Sequence, residues 1–134
     1  MRVILKVPSS GLASSLYEPG DFYIELQDQG ITTNGGMSQR EMNGYLTDIA
    51  NKLGLKTIAT NDFHYLRRED ARAQDLMLCI GTGSLMDDEN RMRYQPQNFY
   101  LRSTQEMEEL FSGYPDAVEN TQRIADRCQL EFTF

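Results

Sequence analysis

Phe22, Ile24 and Leu26 alternate with Tyr23 and Glu25 before the chain reaches Gly30. This two-residue period predicts a short strand over 22 to 26 with the three large apolar residues on one face. Ser38 followed by Glu41 is a capping-box pair, in which hydroxyl and carboxylate each satisfy a free backbone N–H at the start of a helix. Met42, Leu46, Ile49, Ala50 and Leu53 continue at helical spacing, Lys52 suits the negative end of the helix, and Gly54 supplies the left-handed residue that stops it. Lys56-Thr57-Ile58-Ala59-Thr60 follows at once as a β-rich run. A strand, a helix over 38 to 53 and a strand over 56 to 60 leave no room for a hairpin. The two strands are therefore expected to be parallel, and the class α/β.

Ala73, Leu76, Met77 and Ile80 repeat the helical spacing and predict a second helix over 69 to 80, with Glu69 and Asp70 at its positive end. The stretch from Gly81 to Asn98 is polar and aperiodic, and at about 18 residues it is longer than most connections in compact domains. Phe99-Tyr100-Leu101 reads as a short strand. Ser103 and Glu106 make a second capping box leading into Met107, Leu110 and Phe111, and Pro115 stands where a first-turn proline belongs. Ala117, Val118, Thr121, Ile124, Ala125 and Cys128 then form one stripe, so two helices are expected before Leu130-Glu131-Phe132-Thr133-Phe134 turns strand-like. The first 20 residues, rich in serine, glycine and proline, read as an irregular lead-in.

At 134 residues the chain holds one modest core at most. Thirteen Lys and Arg against 20 Asp and Glu give a net charge of −7, which lacks the cationic excess that phosphate-backbone binding draws on. The longest apolar run, Leu76-Met77-Leu78-Cys79-Ile80, falls far short of the roughly 20 residues that cross a bilayer. Lys6 and Pro8 interrupt any export signal. Cys79 and Cys128 lie inside apolar helical patterns and are expected to be buried thiols, which fits a cytoplasmic protein.

The sharpest chemical signal is Thr60-Asn61-Asp62-Phe63-His64, directly after the second strand. In extended backbone, residues two apart point the same way. The Asp62 carboxylate and the imidazole of His64, the single histidine, would then face one space at the C-terminal end of a parallel strand, with Phe63 turned into the packing. An oxygen and an imidazole nitrogen form a common mixed ligand set for zinc, manganese or iron, although a catalytic metal wants about three protein ligands. From spacing alone a second reading stands beside this one: Asp62 caps the turn and His64 is an ordinary partly buried histidine. Arg67, Arg68 and Arg72 read as solvated or ion-paired surface.

The chain around this motif resembles the alpha subunits of bacterial DNA polymerase III, the replicative C-family polymerases. Residues 22 to 31 look like that family's F-Y-L-E-L-Q-x-x-G-I, and residues 55 to 66 look like its L-P-x-V-A-T-N-D-V-H-Y-L. The likeness continues through Leu78-Cys79-Ile80, Asp87-Asp88, Asn90-Arg91-Met92-Arg93, Phe99-Tyr100-Leu101-Arg102-Ser103 and Asn120-Thr121 with Arg127-Cys128, covering about Tyr17 to Phe132. An N-D-x-H motif also occurs in histidinol-phosphatase-like enzymes, which leaves a stand-alone metal-dependent phosphoesterase as an alternative, but the later motifs resemble the polymerases alone.

The resemblance implies a fragment of a DNA-directed DNA polymerase: an irregular segment over 1–20, the latter part of a polymerase-and-histidinol-phosphatase (PHP) domain over 21–84, and a helical connection toward the palm over 85–134. The implied fold is a partial (β/α) barrel of PHP type. The implied cofactor is a divalent metal cluster of zinc, manganese or iron, of which only Asp62 and His64 map here. The other ligands would lie upstream and the nucleotidyl-transfer aspartates downstream, so the 134 residues alone are expected to be inactive, with no catalytic residue of their own. Where family members have histidine in A-H-D, this chain has Gln74. Implied partners are DNA, through the parent polymerase, and other replicase subunits. Within its parent the domain is either a 3′–5′ exonuclease or a structural module that docks a separate proofreading subunit.

Overall fold

The computed structural model describes residues 3–5, 17–18 and 20–133. Three strands, β1 (Val3–Leu5), β2 (Phe22–Leu26) and β3 (Lys56–Ala59), form one parallel sheet with β2 in the centre. Val3 pairs with Phe22, and Tyr23 to Leu26 pair in register with Lys56 to Ala59. The β-α-β unit is therefore parallel, as expected. The lead-in differs: it contains β1, because the apolar triplet Val3-Ile4-Leu5 finds a partner in the edge of β2. Residues 6–16 and 19 of that segment lie outside the described residues.

Helix α1 (Gln39–Leu53) connects β2 to β3. Ser38 accepts from the Glu41 N–H, Glu41 accepts from Ser38 in return, and Gly54 closes the helix at φ 64°. Ala50 of α1 packs with Phe22 and Ile24. A 3-10 turn (Arg68–Asp70) leads into α2 (Ala71–Thr82), and α3 (Thr104–Leu110) and α4 (Pro115–Arg127) follow. Helix α4 lies against β3, where the buried Asn120 donates from Nδ2 to the Thr57 carbonyl at 2.9 Å. Leu26, Ala59, Phe111 and Ala117 form the central cluster, so one core is drawn from β2, β3, the end of α3 and α4.

The other departures concern what faces water. On α2 the buried residues are Ala71 and Cys79, while Leu76, Met77 and Ile80 of the apolar stripe are 48%, 61% and 68% exposed. Helical periodicity identifies an apolar face, but it does not supply the surface that covers it. Cys79 is buried as expected; Cys128 is exposed, since α4 ends at Arg127 and leaves the core. No strand forms over 128–133, where Leu130 and Phe132 are exposed; Phe134 lies outside the described residues. Phe99-Tyr100-Leu101 contributes a single parallel bridge from Tyr100 to Tyr65 rather than a strand.

The second capping box carries an extra bond. Glu106 accepts from the Ser103 N–H and hydroxyl and also from the Tyr100 hydroxyl at 2.7 Å. The Tyr100 bond foremost, then the Ser103 bonds, hold the Glu106 carboxyl down at about 2 against an ordinary 4.5. A carboxyl lowered on folding contributes stability that is present above its ordinary value and is lost as pH falls toward the folded value. Glu106→Gln is accordingly expected to destabilise the chain near neutrality and to converge with the unaltered chain as pH drops from 4.5 toward about 2. Urea melts across that range give the comparison, and a constant gap between the two would contradict it.

Candidate metal centre

Beyond β3 the Thr60 N–H still donates to Leu26, extending the ladder by one residue. The chain then breaks away at Asn61, whose side chain is held from both sides. Its Nδ2 donates to the Tyr100 carbonyl at 2.9 Å and its Oδ1 accepts the Arg102 N–H at 2.8 Å. Its own carbonyl accepts Gln29 Nε2 at 2.8 Å. Gln29 is buried, and its Oε1 in turn accepts from Gln39 Nε2 at 2.7 Å, at the start of α1. Two separate parts of the chain, Gln29 and the Tyr100–Arg102 segment, thus fix the residue before Asp62. Sequence reasoning missed Gln29 and Asn61, because their partners stand up to 41 positions away.

Asp62 is not extended. It sits at φ 49°, and it is the single non-glycine residue with positive φ among those described. Aspartate is one of the few side chains that tolerate this left-handed region. The turn carries Asp62 and His64 to the same side, with Asp62 Oδ1 3.6 Å from His64 Nε2. It also turns Phe63 outward, 52% exposed, rather than into the packing. The expected convergence occurs, but a turn produces it instead of strand alternation.

His64 is seated by backbone and rings. Its N–H donates to the Phe99 carbonyl at 2.7 Å. Its imidazole stacks on Tyr94, ring centres 4.3 Å apart and planes at 28°, and meets Phe99 edge-on at 5.6 Å. Arg68 of the neighbouring basic cluster is tied down, donating to the Tyr100 hydroxyl at 2.8 Å and lying over the Tyr100 ring. Gln74 is on α2, partly buried.

The donor set fits a divalent ion. Two ligands about 2.0–2.1 Å from a tetrahedral zinc lie about 3.3 Å from each other, so a small side-chain rotation brings these two atoms onto one ion. The side chains are 32% exposed for His64 and 43% for Asp62, which leaves room for further ligands. Among the described residues no third histidine, cysteine, aspartate or glutamate joins them. No helix among those residues is long and apolar enough to cross a membrane.

No family model matches the chain. Curated proteins do. It is 46% identical over 108 residues to the DNA polymerase III subunit alpha of Borreliella burgdorferi, covering 81% of this chain and 9% of that protein. It is 39% identical over 116 residues to the subunit of the same name from Treponema pallidum, covering 87% of this chain and 10% of the relative. The Helicobacter pylori subunit is 40% identical over 111 residues, 83% of this chain and 9% of its own length. The chain thus spans about a tenth of the length of the curated relatives it matches.

Proposed function

We propose, from the homology of this chain to one segment of the DNA polymerase III alpha subunits, that it serves as part of a DNA-directed DNA polymerase of bacterial chromosome replication. Residues 21–84 belong to its PHP domain, a partial (β/α) barrel, and 85–134 connect that domain toward the palm. Asp62 and His64 are the last ligand pair of a divalent metal site in this domain. The carrying observation is the identity that spans more than four fifths of the chain, and the 3.6 Å approach of two unlike donors at the end of a parallel strand supports the site assignment.

Asp62 offers a carboxylate oxygen and His64 an imidazole nitrogen, while Asn61 and Gln29 hold the turn between them and the sheet. Asp62 and His64 would hold a divalent ion whose Lewis acidity would activate a water for phosphodiester hydrolysis, the chemistry of a 3′–5′ exonuclease. The parent acts on DNA in the cytoplasm together with other replicase subunits.

A chimeric Borreliella burgdorferi alpha subunit tests this, with the matching segment replaced by this chain. It is expected to extend a primed template. In the same chimera, His64→Ala or Asp62→Asn should lower the bound zinc, manganese or iron while primer extension persists. A folded chimera that extends nothing would refute the polymerase reading, and metal content unmoved by both substitutions would remove the site. The 134-residue chain alone should neither extend a primer nor hydrolyse a 3′ end. A metal-dependent activity abolished by His64→Ala would contradict that.

A further inference from the structure

Between α2 and Phe99 the polar segment 83–98 is tied back to α2 through the Arg91 side chain. The Arg91 guanidinium, 4% exposed, grips the Asp75 carboxylate of α2 through two bonds of 2.5 and 2.7 Å, and its Nε donates to the Met86 carbonyl at 3.1 Å. Arg93 donates to the Asp88 carbonyl at 2.9 Å, tightening the same loop. The Arg91 bonds keep the Asp75 carboxyl below the usual carboxylate range. Three residues after Arg91, Tyr94 lies flat on the imidazole of His64 and touches Phe99, with ring centres 5.0 Å apart. One imidazole face is therefore covered by Tyr94, Phe99 stands T-shaped to the same ring, and Nε2 lies 3.6 Å from Asp62 Oδ1.

We infer that Tyr94 is a positioning residue for the Asp62–His64 pair, and that the Asp75–Arg91 ion pair sets its position from α2. The inference deepens the metal-site reading and rests on it. An imidazole that must present one nitrogen to an ion gains from being fixed in its ring plane, because a freely rotating ring loses rotational entropy on every binding event. Metal-bound histidines are commonly oriented by a hydrogen bond to the second ring nitrogen. Here an aromatic stack does the holding.

His64 is the single histidine, so its ring resonances in a labelled sample of the full chain are assigned without ambiguity. Tyr94→Ala is expected to shift them downfield by removing the ring current. It should also weaken Co2+ binding about tenfold, with the ion titrated alone and followed by broadening of the same resonances. Tyr94→Phe should keep both properties. Asp75→Asn, which preserves shape and removes the charge of the clasp, should move the His64 resonances in the direction of Tyr94→Ala. Resonances and Co2+ affinity left unchanged by Tyr94→Ala would overturn the inference, as would Tyr94→Phe behaving like Tyr94→Ala. Absence of any Co2+ broadening at His64 in the unaltered chain would sink the metal reading by itself, while the resonance shifts still decide whether Tyr94 positions the ring.

Discussion

Phe111→Ala should cost about 3–5 kcal/mol of folding stability, the usual range for truncating a fully buried aromatic side chain. Phe111 is 2% exposed, heads the fully buried side chains by volume, and ends α3 where it meets Leu26 and Ala59 of the sheet and Ala117 of α4. Four segments converge on that one ring, and the residues around it belong to regular elements that do not collapse readily into the space it leaves. Against the 5–15 kcal/mol typical of whole domains, the loss is a large fraction. A urea melt of the variant is the measurement, and a midpoint within error of the unaltered chain would place the core elsewhere. Phe111→Leu, which refills most of the volume, should recover part of the loss.

The 134-residue chain in isolation should self-associate, and Met77→Lys with Ile80→Lys should shift it toward monomer. Leu76, Met77 and Ile80 form one exposed apolar face on α2, and covering a side chain of this kind gains roughly 1.5–3 kcal/mol. With both substituted, the association constant is expected to fall at least about a hundredfold. Among the described residues, β1 and β3 also each present an edge with no further strand, so some association is expected to persist through backbone pairing. Sedimentation at several concentrations, with circular dichroism to check the helix, decides the matter. A monomer at every concentration in the unaltered chain would show that the face and edges are harmless in water.

What the sequence revealed was chemistry confined to a few neighbouring residues. Ser38 with Glu41, Ser103 with Glu106, Gly54 and Pro115 each mark a helix end through bonds made within one turn, and each marks the observed end. The parallel β-α-β unit followed from element lengths alone. The two faces of α2 were harder, because period 3.6 finds the stripe of Leu76, Met77 and Ile80 without saying what lies opposite it. At the candidate site, Asp62 and His64 were legible as a pair. Their approach was derived from an extended backbone, whereas a left-handed residue produces it and turns Phe63 out. The Tyr94 stack spans 30 positions and the Gln29 bond to Asn61 spans 32, and neither leaves a periodic trace. The unusual length of the segment after Gly81 was the one available hint that it reaches back to the site.

The Asn120 bond to Thr57 also bears on how the molecule is made. Ribosomes release the chain from its amino end, so Thr57 emerges 63 residues ahead of the side chain that will bind its carbonyl. At about 5–20 residues per second this is a delay of roughly 3–13 s. For most of it, the Leu26 and Ala59 face of the sheet stands without Phe111 and α4. That interval is long compared with the microseconds a helix needs to form. The nascent sheet therefore keeps that apolar face uncovered for seconds before its own helix arrives to cover it.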